Sequence, residues 1–231
     1  MSLFDGTAMI VGSTPKTEQA GFIFPASLSE KYRPHSFEDF VGLDKPKRVL
    51  AKFADAPFPN AAFLFVGPSG TGKTSMALAL CEAIKGELHH IPSQSCNVAT
   101  VEDTVRQCHY VPRNNSLHVV LVDEADVMTP QAQLGFLSKL DGTAFPPQTV
   151  FIFTCNDTER LQPRFLSRCM RLDFSSHGIA KEAATLLETI WKREAGEQSD
   201  ESKPNFLRMV QDSKNNVRDA VNSLQVELLA L

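Results

Sequence analysis

The chain has 231 residues, 42% of them hydrophobic and 22% charged, enough to bury a sizeable core in one large domain, or one plus a small one. Its formal net charge of −4 argues against diffuse electrostatic attraction to nucleic acid, which would need a local patch or backbone amides. No apolar run nears the ~18 residues of a membrane span, and the N-terminus lacks the basic and apolar regions of a secretory signal, so the expected location is the cytoplasm, or the nucleus in a eukaryote.

Residues 1–27 mix Gly, Ser, Thr and isolated apolar residues without periodicity and read as an extension. From Ala61 onward short apolar runs recur at 61–66 (AAFLFV), 88–91 (LHHI), 117–122 (LHVVLV), 148–154 (QTVFIFT) and 170–174 (MRLDF). Their near-continuous hydrophobicity predicts strands buried on both faces, as in a parallel sheet. Helical patterns intervene at 74–84, 101–108 and 130–140, so strand and helix alternate in the α/β manner. Two start signals support the helices: Thr100 before Val101 with Asp103 three residues on, and Thr129 before Pro130. Beyond Phe174 no strand-like run follows, and 179–194, 204–213 and 215–231 read as helices, with a polar break at 196–204. A domain boundary is expected near Ser176. The five cysteines, Cys81, Cys96, Cys108, Cys155 and Cys169, form no C-x-x-C pair and suggest neither a zinc ribbon nor a disulfide framework.

The stretch GPSGTGKT, from Gly67 to Thr74, matches G-x-x-x-x-G-K-[ST] between an expected strand and an expected helix. A chance match in a chain of this composition is on the order of 1 in 100. Gly67, Gly70 and Gly72 would let backbone amides wrap phosphate oxygens at a helix N-terminus. Lys73 would reach the β- and γ-phosphates and the Thr74 hydroxyl would coordinate Mg²⁺. The cofactor-binding set here is thus Gly67, Pro68, Ser69, Gly70, Thr71, Gly72, Lys73, Thr74 and Ser75, with ATP and Mg²⁺ as the expected ligands.

The run HVVLV delivers Asp123, Glu124 and Asp126 to the C-terminal end of a strand, where open α/β sheets bind ligands. Asp123 is the candidate Mg²⁺ holder, through a water, and Glu124 the candidate for polarising an attacking water. Acidic residues are also common in loops after strands. The next strand ends FTCND, bringing Thr154 and Asn156 to the same edge, where Asn156 could orient the water or simply cap a turn.

With EKYRPHSFEDFVG, GPSGTGKT, VDEAD, TCN, LSRC and RDAVNSLQ, residues 29–225 resemble the AAA+ ATPases, and within them the clamp-loader branch, especially the small subunits of replication factor C. That resemblance implies a P-loop αβα domain of three layers with a five-stranded parallel sheet over 28–175, and a small all-α lid over 176–231. It implies an adenine pocket lined by Tyr32, Arg33, Pro34, Val41 and Gly42, a sensor at Asn156, and a second sensor arginine at Arg218. Arg218 lacks the Gly-Asp that commonly precedes this arginine in the family. Arg168, in the segment RLQPRFLSRCMR, would be an arginine finger acting in trans on ATP held by a neighbouring subunit. Arg160, Arg164 and Arg171 are read as ordinary surface or interface charges.

The implied partners are further AAA+ subunits in a homo- or hetero-oligomer, a sliding clamp and DNA, with Arg106 and the helix starts at Val101 and Pro130 facing the DNA; Arg106 equally suits a surface helix. Clamp-loader subunits continue after the lid into a helical collar, whereas this sequence stops at Leu231, whether through truncation or in the natural protein. Without a collar the same engine could serve a helicase loader, a recombination or transposition regulator, or a protein remodeller. A scaffold that binds nucleotide without hydrolysis is disfavoured by the presence of Lys73, Asp123 and Glu124.

Overall fold

A computed structural model describes residues 26–113, 116–195 and 203–230. Most of the N-terminal extension and of the polar break at 196–204 lies outside the described residues. Five strands form one sheet: β1 (Ala61–Val66), β2 (Glu87–Pro92), β3 (His118–Asp123), β4 (Thr149–Cys155) and β5 (Met170–Asp173). Their order is β2-β3-β4-β1-β5 and every neighbouring pair is parallel, as the alternation of strand and helix predicted.

The three inner strands bury both faces. Ala62, Leu64, Val66, Val120, Val122, Phe151 and Phe153 face one core, while Phe63, Phe65, Val119, Leu121 and Ile152 face the other. The expectation of two-sided burial fails for both edge strands: Glu87, Leu88 and His89 of β2 alternate between partial and full exposure, and Met170, Arg171 and Asp173 of β5 are exposed. The cause is position: β2 pairs only with β3 and β5 only with β1, so each closes the sheet at one edge.

Helices α1 (Leu28–Lys31) and α2 (Asp44–Asp55) precede β1, and α3 (Lys73–Ala83) follows it. The α3 helix is apolar nearly all round, with Met76, Ala77, Ala79, Leu80 and Cys81 buried, as suits a helix packed within the core. The next helix, α4, spans Val98–Gln107, so its start lies one turn before the one expected at Thr100. Asn97 caps it instead, its side chain accepting the Thr100 N–H at 3.0 Å, while the Thr100 hydroxyl donates to the Ser95 carbonyl. Helix α5 (Pro130–Lys139) begins as predicted, with the Thr129 side chain accepting the Ala132 N–H and Pro130 in the first turn. A short α6 (Pro163–Leu166) precedes β5.

Helices α7 (Ala180–Glu194), α8 (Phe206–Asp212) and α9 (Val217–Leu229) surround a separate apolar cluster containing Leu187, Ile190, Trp191, Val210 and Leu224. Leu28 of α1 belongs to that cluster, and its N–H donates to Gln225 at 3.0 Å. Lys31 pairs with Glu194 at 2.7 Å, and the Tyr32 hydroxyl donates to the same carboxylate. The chain ahead of β1 is therefore fastened to helices that come after β5. That crossing builds a cleft between the phosphate loop and the helical unit.

Candidate nucleotide site

The loop between β1 and α3 is shaped by glycine at three points. A Cβ at Gly67 would lie 2.0 Å from the Phe174 carbonyl oxygen, and one at Gly70 would lie 2.1 Å from the Asn216 side chain. Gly70 and Gly72 also have φ of +77° and +89°, the left-handed region that glycine enters without steric cost. Gly72 is the N-terminal cap of α3, so the loop opens onto a helix N-terminus.

Lys73 is buried in the first turn of α3. Its ammonium donates to the carbonyls of Gly67 (2.6 Å) and Pro68 (2.9 Å) and to Asn156 Oδ1 (3.1 Å). These three bonds hold the charge under the loop, at the end of β4. Burial lowers the lysine's pKa from its ordinary value, with Arg218 adding to the depression, while Cys155, Asp123 and Asp126 oppose it.

Two hydroxyls converge on one carboxylate oxygen. Thr74 Oγ1 donates to Asp123 Oδ1 at 2.8 Å and Thr154 Oγ1 donates to the same atom at 2.5 Å. Thr154 also accepts the Glu124 N–H at 3.0 Å, which ties the ends of β3 and β4 together. Glu124 itself sits at φ +55°, ψ +49°, a left-handed conformation costing roughly 1–2 kcal/mol for a residue with a side chain. Its carboxylate is turned out to solvent above the loop end of the sheet. Asp126 is buried, its Oδ2 accepting the Asn156 N–H at 3.3 Å and its Oδ1 left without a partner.

Beside the loop is a cavity of about 200 Å³. Tyr32, Arg33, Pro34 and Val41 line it from one side, Gly70, Thr71 and Gly72 from the loop, Ser75 from the start of α3, and Leu186, Val217 and Arg218 from the helical unit. Arg33 Nε donates to Ser75 Oγ at 3.1 Å, linking the first wall to α3. Gly42 does not line the cavity. Its N–H donates to Glu182 at 2.9 Å, and a Cβ there would meet Ile179 at 2.5 Å, so its conformation serves packing against the start of α7. Phe40, within the EKYRPHSFEDFVG segment, lies under Gly72, and Asn216, whose Nδ2 donates to the Ser69 carbonyl at 3.3 Å, contacts the loop without any motif to announce it.

Residues 63–176 match the family model described as "ATPase family associated with various cellular activities (AAA)". The chain carries an AAA domain. It is similar to the replication factor C small subunit of Picrophilus torridus, at 30% identity over 207 residues, which cover 85% of this chain and 62% of that protein. It is likewise similar to replication factor C subunit 4 of Caenorhabditis elegans, at 30% identity over 85% of this chain and 61% of that one. The chain thus spans about three fifths of the length of these curated relatives. Among solved structures, the Holliday junction branch migration motor RuvB of Thermotoga maritima shares the fold, with a TM-score of 0.65 and 17% identity over 84% of this chain and 64% of that one.

The donor set of the AAA domain fits a magnesium nucleotide. Thr74 and Asp123 supply the oxygen ligands a hard cation takes, and the partly buried carboxylate of Asp123 and the buried one of Asp126 both favour the charged form of the Lys73 ammonium. The remaining arginine lies elsewhere. Arg168 follows α6, its Nε bonded to Asp141 Oδ1 at 2.8 Å and its NH1 to the Arg164 carbonyl at 2.9 Å. It does not line the cavity of its own chain. Arg171 pairs with Asp173 at 2.7 Å, and Arg106 with Asp103 at 2.7 Å on an exposed face of α4. No helix among the described residues is long and apolar enough to cross a membrane.

Proposed function

We propose that this AAA domain binds ATP with Mg²⁺ and hydrolyses it as one subunit of an oligomer that works as a clamp loader on DNA. The observation that carries this reading is the meeting of Lys73 with Asn156, next to Thr74 and Thr154 on Asp123, at the C-terminal edge of one sheet. Adenine would enter the cavity walled by Tyr32, Arg33, Pro34 and Val41, and the triphosphate would lie over Gly67 to Thr74. Mg²⁺ at Thr74 and Asp123 would neutralise charge on the β- and γ-phosphate oxygens. Lys73 would exchange its carbonyl partners for phosphate oxygens, and Asn156, released from the lysine, would orient water. Glu124 would take the proton of that water, and Arg218 would bring the lid charge to the phosphates. Arg168 of one subunit would act on the nucleotide of the next.

Similarity to replication factor C small subunits supports a sliding clamp and DNA as partners, in the cytoplasm or a eukaryotic nucleus. The test is steady-state ATP turnover against protein concentration, with and without a sliding clamp and primed DNA. Turnover per chain should rise with concentration and again with both partners. Stimulation by a helicase, a recombination substrate or a client protein, and not by a clamp, would move the domain to another AAA+ role. No hydrolysis under any of these conditions would leave a nucleotide-binding scaffold.

A further inference from the structure

At the edge of the sheet formed by β2, three potential metal ligands from three elements come together. They are His89 on β2, His118 at the start of β3 and Cys108 at the C-terminal cap of α4, and their ligand atoms all lie within 4.8 Å of one another. His118 and Cys108 are 2% and 0% exposed, and His89 is half-buried. We propose that His89, Cys108 and His118 form a binding site for a divalent transition-metal ion of the zinc class.

The hydrogen bonds prepare the ligands for this. His118 Nε2 faces the Tyr110 carbonyl oxygen at 2.8 Å. A carbonyl can only accept, so Nε2 carries the proton and the neutral ring presents a bare Nδ1. That Nδ1 points at His89 Nε2, 2.9 Å away. The arrangement of a ring N–H fixed by a backbone carbonyl, with the other nitrogen offered inward, is the one metal-binding histidines use. With His118 Nδ1 bare, the proton between the two rings sits on His89 Nε2; burial and the neighbouring His118 keep His89 below its ordinary pKa, so its ring is neutral, and it would free Nε2 for a metal by carrying its proton on Nδ1 instead.

Zinc takes imidazole nitrogen at about 2.0 Å and thiolate sulfur at about 2.3 Å, which puts tetrahedral ligand atoms about 3.3–3.6 Å apart. The widest separation permitted in this cluster exceeds that by about 1 Å, a gap that side-chain torsions can close. Glu87 Oε2 lies 3.8 Å from His118 Nδ1 but accepts the Arg113 N–H at 3.0 Å and stands outside the three-ligand cluster, so solvent would take the fourth position. A thiolate with two imidazoles selects zinc, cobalt or nickel over the hard Mg²⁺ of the nucleotide site. Burial pushes the Cys108 thiol up to about 11, so metal entry would release its proton to solvent as the sulfur–metal bond forms. The ion would tie β2, β3 and the end of α4 to one another.

The test uses the chain purified with a chelator and then freed of it, without nucleotide. Zn²⁺ at 100-fold above its dissociation constant should raise the melting temperature by about 5–10 °C. Co²⁺ should bind one to one and give both the intense visible bands of a tetrahedral ion and a near-ultraviolet thiolate charge-transfer band. Cys108→Ser should lose the thiolate band, and His89→Gln, at the most accessible ligand, should weaken Co²⁺ binding at least tenfold while keeping the metal-free melting temperature. A cobalt spectrum equal to that of the free ion, with no thermal response to Zn²⁺, overturns the site. So does a thiolate band undiminished in Cys108→Ser. If that variant does not fold, unchanged Co²⁺ affinity in His89→Gln is sufficient to overturn it.

Discussion

Within one chain, Arg168 is bonded through Nε to Asp141 at 2.8 Å and through NH1 to the Arg164 carbonyl at 2.9 Å, so its guanidinium is oriented while only part of its donor set is used. The pair is partly exposed, with side-chain exposures of 32% and 54%, and contributes at most about 1 kcal/mol to folding. Arg168→Ala should therefore fold and bind ATP like the parent but hydrolyse it about 10³-fold more slowly, measured as turnover at saturating protein and nucleotide. Mixing that variant with Lys73→Ala, each inactive alone, should restore part of the activity if, as proposed, a finger from one copy acts on a triphosphate held by another. Full activity of Arg168→Ala by itself would remove the finger assignment. Asp141→Ala should shift the protein concentration for half-maximal turnover, since it frees the guanidinium to search.

Glu124 is the second residue whose geometry points beyond folding. A non-glycine residue at φ +55° stores strain, and its N–H is tied to Thr154, so the backbone is held while the carboxylate stays exposed. Glu124→Gln keeps shape and removes only the ability to take a proton. Stability should stay within about 0.5 kcal/mol and nucleotide affinity should hold, while turnover falls by about 10²–10⁴. A comparable loss of affinity would show that Glu124 organises the site instead of serving its chemistry.

The parts of the site that could be read in advance are contiguous in the chain. GPSGTGKT follows directly on the apolar run of β1, and VVLVDEAD carries its own strand, turn and carboxylates, so motif and periodicity suffice to locate them and the inner strands of the sheet. What lay beyond reading depends on residues far apart. Leu28 meeting Gln225, Tyr32 meeting Glu194, and Asn216 meeting Ser69 are separated by 147 to 197 residues, and no local pattern encodes such pairs. Misplacing the start of α4 has a local cause: Asn97 and Thr100 are both good caps, and Val98 extends the helix by one turn once Asn97 takes the N–H. The His89, Cys108 and His118 cluster has no signature in the sequence, because its spacing is set by sheet register and a helix end, not by a metal motif.

Asn216 has two duties that a single substitution separates. Its Oδ1 accepts the Asp219 N–H and caps α9, and its Nδ2 donates to the Ser69 carbonyl in the phosphate loop. Asn216→Ala should destabilise the chain by about 1 kcal/mol and weaken nucleotide binding. Asn216→Ser keeps a capping oxygen but cannot span to Ser69, so it should recover the melting temperature without recovering the affinity, as read by calorimetric titration with a non-hydrolysable ATP analogue. Recovery of both would mean that the contact with the loop does no more than hold the helix.

The bond network at Glu194 gives a pH dependence of defined sign. Its carboxyl is held below its ordinary value of 4.5, first by the hydrogen bond from Lys31 and then by that from Tyr32, so the folded state favours the charged form. A depressed carboxylate contributes stability above its unfolded pKa and loses it as pH falls through the lower, folded value. Burial, followed by the bond to Glu194, raises the pKa of Tyr32, which therefore remains a donor throughout this range. Glu194→Gln should melt about 2–4 °C below the parent at pH 7, and the difference should shrink towards zero as pH falls below 4.5 and through the lower, folded value. Because α1 and Tyr32 are fastened to α7 through this carboxylate, the variant should also bind ATP more weakly at pH 7, with the affinity gap closing over the same interval. A melting difference that is constant with pH would show that Glu194 acts through packing, and its charge would then have no part in holding the wall of the cavity.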